Sequence, residues 1–179
     1  MDCSVHFDRS INISNPNLRW PANTEGLGKI KDLQIQSITR RAKYILFNLS
    51  DQSILLHLGM TGTIRIMDKH SNFYKKHDHV EFNFNNGKLI YNDPRRFGSI
   101  HLAEDHQDHF LLNKLGPEPL SNNFNGEYFY QAIKNSSAPI KSALMNQHNV
   151  VGVGNIYANE ILFDAGIRPT KKCRTLTKK

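Results

Sequence analysis

Between residues 33 and 102 the chain carries short apolar runs, at 33–38, 44–49, 54–58, 63–67, 80–84, 88–91 and 99–102. Val80, Phe82 and Phe84 alternate with Glu81 and Asn83, so one face packs and the other meets solvent. Ser50-Asp51-Gln52, the glycines at 59 and 62, and Asn85-Asn86-Gly87 separate the runs. Asn-Gly is a strong hairpin signal because it takes positive φ at little cost. This rhythm predicts an antiparallel β-sandwich or barrel. Residues 1–30 lack it and read as irregular, with Leu18, Trp20 and Leu27 as apolar anchors.

The second half changes period. Residues 123–133 read as a helix, and 140–169 as helix, glycine turn and helix. Ser136 or Ser137 caps the first of that pair, and Pro139 suits its first turn. Gly152 and Gly154 free the backbone to turn. Asn155 opens the next helix, with Ile156, Tyr157, Ile161 and Leu162 as its apolar stripe and Gly166 and Pro169 as its stop. A helix starting just after Gly-Val-Gly offers free N–H groups and a partial positive charge to a phosphate. The Gly-Pro-Glu-Pro stretch at 115–120 reads as a stiff linker. The fold class expected is α+β: a β-sandwich domain at 1–108, a linker at 109–120 and a helical domain at 121–179.

Composition adds bounds. With 179 residues, 39% of them hydrophobic, the chain can bury one good core or two small ones. No apolar run is long enough to span a membrane, and the first thirty residues are too polar for a signal peptide. Cys3 and Cys173 are far apart and encode neither a disulfide framework nor a cysteine zinc site, which suits a reducing cytoplasm. The net charge of +7 points to a polyanionic partner. Much of it is a basic tail, with no acid among the last twelve residues.

Certain loops carry chemistry. Asp93-Pro94-Arg95-Arg96-Phe97-Gly98 joins two predicted strands; its guanidinium forks suit phosphates or base edges, and its ring can wedge between bases. His57-Leu58-Gly59-Met60-Thr61-Gly62 presents an unbranched apolar side chain at a glycine-flanked tip. Arg40-Arg41-Ala42-Lys43-Tyr44 enters a strand, where alternation places Arg41 and Lys43 on one face. Lys76-His77-Asp78-His79 invites a metal reading, but two histidines and one aspartate support a DNA or structural contact better.

In this order, RRAKY at 40–44, HLGMTG at 57–62, KHDHVEF at 76–82, DPRRFG at 93–98, LGPEPL at 115–120 and VVGVGNIYANE at 150–160 resemble the formamidopyrimidine-DNA glycosylases. The resemblance covers about residues 16–170 and is closer to them than to their endonuclease VIII relatives. It implies a β-sandwich followed by a helix-two-turn-helix domain, with damaged double-stranded DNA across the cleft and a monomeric, cytoplasmic enzyme. Met60, Arg95 and Phe97 would fill the hole left by an extruded nucleotide, as the wedge chemistry also suggests. His77, Arg96, Lys141, Asn155 and Tyr157 would bind DNA, and Lys43 would transfer the proton in β-elimination.

The family's amino-terminal Pro-Glu, whose proline amine attacks sugar C1′ to form a Schiff base, has no counterpart in Met1-Asp2-Cys3-Ser4. The four-cysteine zinc finger has none either, so no cofactor is expected here, although zinc is in the full-length enzymes. The sequence reads as a fragment. Two functions remain: a base-excision-repair glycosylase and AP lyase acting on 8-oxoguanine and formamidopyrimidines, or a catalytically dead DNA-binding remnant of one.

Overall fold

The computed structural model describes residues 7, 11–30 and 32–178. The alternating runs become strands of two antiparallel four-stranded sheets. One sheet orders β2 (Ser37–Arg41), β3 (Tyr44–Asn48), β4 (Ser53–His57) and β8 (Ser99–Ala103). The other orders β1 (Asn12–Ile13), β6 (Asp78–Phe84), β7 (Gly87–Asn92) and β5 (Thr63–Met67). Phe47, Ile54, Leu56 and Ile100 of the first sheet share a core with Val80, Phe82, Phe84 and Tyr91 of the second. Phe82 is fully buried, its ring centroid 5.9 Å from that of Phe47.

The chain forms two compact units, Met1–His109 and Phe110–Lys179. In the second, α2 (Gly126–Ile133), α3 (Ile140–Met145) and α4 (Asn155–Asp164) surround Ile133, Ile140, Leu144, Val150, Ala158, Leu162 and Cys173. The 115–120 segment is tied into this unit: Gly116 N–H donates to the Gln147 carbonyl (2.8 Å), and Val151 N–H to that of Pro117 (3.1 Å). A Cβ on Gly116 would lie 2.5 Å from the His148 carbonyl oxygen, so this approach requires glycine.

Several local expectations need correction. Residues 1–30 contain β1, paired with Val80 and Glu81, and α1 (Thr24–Gly28), capped by Asn23 accepting from Gly26 N–H at 2.9 Å. Both are too short to leave a periodic signal. Leu18 and Leu27 are buried in the core, whereas Trp20 is 41% exposed and stands outside it. The strand expected at 33–38 begins only at Ser37; Leu33 and Ile35 pack against the core from outside the ladder. The β6–β7 hairpin turns at Asn85-Asn86 without positive φ, because Gly87 is already paired with Phe84.

In the second unit no serine caps α3. Its first N–H groups donate instead to carbonyls of the 168–171 turn, Ile140 to Lys171 (2.8 Å) and Lys141 to Pro169 (3.3 Å). Pro139 is the residue before that helix, not inside it. Gly152 has φ of +80°, but Gly154 is extended and serves as the α4 cap. The α4 stripe is also revised: Ala158 and Leu162 face the core, while Ile156, Tyr157 and Ile161 are exposed. At its other end Gly166, at φ +63°, donates to Phe163 (3.0 Å) and Ile167 donates to Leu162 (2.9 Å), a Schellman ending.

Candidate nucleic-acid interface

Strand register brings the loops of the first unit to one end of the sandwich. Tyr44 at the start of β3 pairs with His57 at the end of β4, which pairs with Ser99 at the start of β8. In the other sheet Thr63 opens β5 opposite Asn92 at the end of β7, which faces Asp78 at the start of β6. Lys43, Met60, His77, Arg95, Arg96 and Phe97 all lie on the connections at that end.

One buried carboxylate locks two of these loops together. Asp93 Oδ1 accepts from the Thr61 hydroxyl at 2.6 Å; Oδ2 accepts from the Tyr91 hydroxyl at 2.9 Å and Gly98 N–H at 2.8 Å. Burial pushes the Asp93 carboxyl up, but these donors and the Arg95 N–H outweigh it and hold it below the usual carboxylate range. Burial, and then the contact with Asp93, raises the Tyr91 phenol. The loops also touch backbone to backbone. A Cβ on Gly59 (φ +67°) would lie 2.6 Å from Gly98 N, and one on Gly98 would lie 1.8 Å from the Tyr91 hydroxyl oxygen. Only glycine fits at either place.

What these loops present is apolar and cationic. Met60 is 72% exposed at the tip of one; on the other, Phe97 is 41% exposed with the Arg95 guanidinium 4.5 Å from its ring centroid. Arg96 is exposed at φ +56°, its N–H on the Asp93 carbonyl. His77, at φ +73°, offers its carbonyl to Asp93 N–H at 3.1 Å. His79 is buried, with Nε2 2.9 Å from the Asp93 carbonyl oxygen, so its role is structural. Asp93, Thr61 and Tyr91 have no site role on sequence grounds alone. The visible signal was a carboxylate opening a proline turn two residues after Tyr91, on the same side of the strand.

Lys43 departs from the alternation argument. β2 and β3 close at Arg41 opposite Tyr44, leaving Ala42 and Lys43 as a two-residue turn, with Ala42 at φ +53°. Arg41 and Lys43 therefore do not share a strand face. Lys43 is exposed beside His57, whose pKa is lowered first by burial and then by the charges of Arg19 and Lys43. His57 Nδ1 accepts the Gly59 N–H at 3.0 Å, which sets the start of the Met60 loop.

Further along the same sheet His101 is held down at about 4 by burial and then by His109 and His57, and burial also lowers His109. Their folded pKa values lie below the unfolded value of 6.5, so the unfolded chain binds protons first as pH falls. Stability of the first unit is therefore expected to be full above pH 6.5 and to decline from there to about 4. Urea midpoints measured across that window check this, and His101→Gln should flatten the decline.

In the second unit Asn155 and Tyr157 are exposed on the first turn of α4, which has no side-chain cap. Lys141 is half-buried on the separate helix α3. Among the described residues, no group of three or more His, Cys, Asp or Glu is placed to hold a metal. Cys173 is buried in the second core, and Cys3 lies outside the described residues, so the residues present do not fit a four-cysteine zinc site. No helix among them is long and apolar enough to cross a membrane.

Comparison with known proteins bears on the family and the fold. The profile of the formamidopyrimidine-DNA glycosylase N-terminal domain matches residues 7–100, and that of the formamidopyrimidine-DNA glycosylase H2TH domain matches 115–179. The formamidopyrimidine-DNA glycosylase of Colwellia psychrerythraea is 50% identical over 92% of this chain and 60% of its own length. That of Histophilus somni is 47% identical over 94% and 62%. The chain thus spans about 60% of the curated relatives it matches. A crystal structure of the Lactococcus lactis Fpg (MutM) with a FAPY-dG containing DNA superposes at a TM-score of 0.89 and 35% identity, covering 98% of this chain and 66% of that one. Another, of that protein with an abasic site containing DNA, gives 0.87 and 35%, covering 97% and 65%. By sequence and by fold, this chain belongs to the formamidopyrimidine-DNA glycosylase family.

Proposed function

We propose that this chain engages damaged duplex DNA and takes part in base-excision repair of oxidised purines such as 8-oxoguanine and formamidopyrimidines. The observation that carries the reading is the juxtaposition of Met60, Arg95 and Phe97 on loops locked by Asp93. A thioether, a ring and a guanidinium held at rigid tips suit the gap that opens when a nucleotide leaves the stack. Arg96 and His77 serve neighbouring phosphates, as do Lys141, Asn155 and Tyr157 in the second unit. At the start of α4 the uncapped N–H groups favour an anion.

In the glycosylase half of such a reaction an amine bonds to C1′ as the base leaves, and the lyase half follows. The resulting iminium then loses a proton from C2′, and the 3′ phosphate departs. Lys43 is assigned to that proton transfer; its position beside His57, on the turn at the loop end, is what supports the role. Borohydride trapping on a duplex carrying 8-oxoguanine opposite cytosine tests the chemistry. A covalent product abolished by methylating the amines establishes attack of an amine on C1′, and strand cleavage in the absence of borohydride establishes the lyase step. Binding without a product establishes the non-catalytic reading instead, and neither binding nor product refutes the proposal.

A further inference from the structure

We propose that the segment 69–77 is a second phosphate-contacting surface, extending the DNA footprint from the gap-filling loops to the backbone of the flanking duplex. The inference rests on the DNA-binding reading above. Its residues were given no role there apart from His77.

The segment is built rather than loose. Asp68 accepts His70 N–H at 2.9 Å, Asp78 accepts Lys75 N–H at 2.7 Å, and Asp78 N–H returns to the Lys75 carbonyl at 3.2 Å. The Tyr74 hydroxyl donates to Glu81 and lies 3.5 Å from Lys88 Nζ. The nearby carboxylates are thereby engaged: Asp78 also takes a bidentate contact from Arg65, at 2.9 and 2.7 Å, and Glu81 lies 3.8 Å from Lys88. Asp78 is held down at about 2, where hydrogen bonds from Arg65, the Lys75 N–H and Asn92 overcome burial.

Lys75 and Lys76 remain. Both are exposed, and among the described residues neither side chain has a carboxylate within ion-pair distance. Lys75 Nζ stands 5.7 Å from the ring centroid of Phe73, itself 61% exposed, which orients the ammonium without neutralising it. The surface is continuous with the gap-filling site: the Lys76 carbonyl accepts from Asn92 Nδ2 at 2.9 Å, and the His77 carbonyl from Asp93 N–H at 3.1 Å. Unneutralised ammonium groups next to a base-gap wedge fit the phosphates beyond it. An ammonium paired with a phosphate oxygen carries no sequence information, so the contact is sequence-independent.

The test is the salt dependence of binding by the 179-residue chain to matched damaged and undamaged duplexes. The slope of log K against log salt should become shallower by about 0.9 for each phosphate contact removed, hence about 1.8 for Lys75→Ala/Lys76→Ala. The ratio of damaged to undamaged affinity should stay unchanged. Lys75→Arg/Lys76→Arg should restore the parent slope, and Lys134→Ala, an exposed lysine on the second unit, should leave it alone. A parent that binds with a slope the double variant does not change overturns this inference alone, as does an equal change from Lys134→Ala. A parent that binds neither duplex overturns this inference together with the reading beneath it.

Discussion

Asp93→Ala is expected to destabilise the first unit by about 3–5 kcal/mol, because it strips the acceptor from three buried or half-buried donors at once. A buried donor left unpaired costs about 1–3 kcal/mol, and neither Thr61, Tyr91 nor Gly98 has another acceptor in these contacts. Tyr91 and Asp93 are both fully buried, so water does not readily replace the carboxylate. Asp93→Asn keeps the volume and one acceptor but turns an amide donor toward hydroxyl and N–H donors, so about half the loss is expected. The sole tryptophan, Trp20, reports on this region, since its neighbour Arg19 donates its N–H to the Gly98 carbonyl at 3.1 Å. Urea unfolding followed by tryptophan fluorescence should show the midpoint falling in the order parent, Asn, Ala. An alanine variant that unfolds like the parent would remove Asp93 from the account of how the loops are held.

The second large effect concerns binding rather than folding. Replacing Met60, Arg95 and Phe97 together by alanine should weaken binding to a damaged duplex by about 100- to 1,000-fold. Stacking of one base on an aromatic side chain is worth about 1–3 kcal/mol, and each 1.4 kcal/mol is about tenfold. Phe97→Ala alone should account for about a tenfold share. These side chains are exposed at loop tips, so the unfolding free energy should stay within about 0.5 kcal/mol of the parent. Binding to undamaged duplex should fall far less, because the phosphate contacts proposed for Arg96, Lys141 and the start of α4 are untouched. Fluorescence anisotropy at one fixed salt concentration separates the two losses. Equal losses on both duplexes would mean that the three side chains add general affinity and recognise no gap.

The contrast between these variants reflects what a linear sequence can convey. Strand positions were legible because Val80, Phe82 and Phe84 alternate with polar neighbours, and the end of α4 was legible because Gly166 supplies the conformation its ending needs. Met60 and Phe97 stood out through their flanking glycines. Asp93 did not, since its partners Thr61 and Tyr91 lie on different elements and only strand register unites them. Likewise the inward face of α4 is narrow, only Ala158 and Leu162. The larger apolar side chains of Ile156, Tyr157 and Phe163 point outward, against the usual pattern, so composition alone misassigns its stripe. The α3 cap was hidden for a third reason: the acceptors are carbonyls of residues 169 and 171, about thirty positions away in the chain.

Recognition of a gap in duplex DNA is the central claim, and paired affinity measurements test it most directly. The 179-residue chain would be titrated onto two duplexes of identical sequence, one carrying a stable abasic-site analogue opposite cytosine, at the same salt concentration. The damaged duplex is predicted to bind at least about tenfold more tightly, a modest share of the discrimination specific DNA-binding proteins achieve. Equal affinities for the two duplexes would contradict the claim and leave only a basic surface that holds DNA without reading its damage.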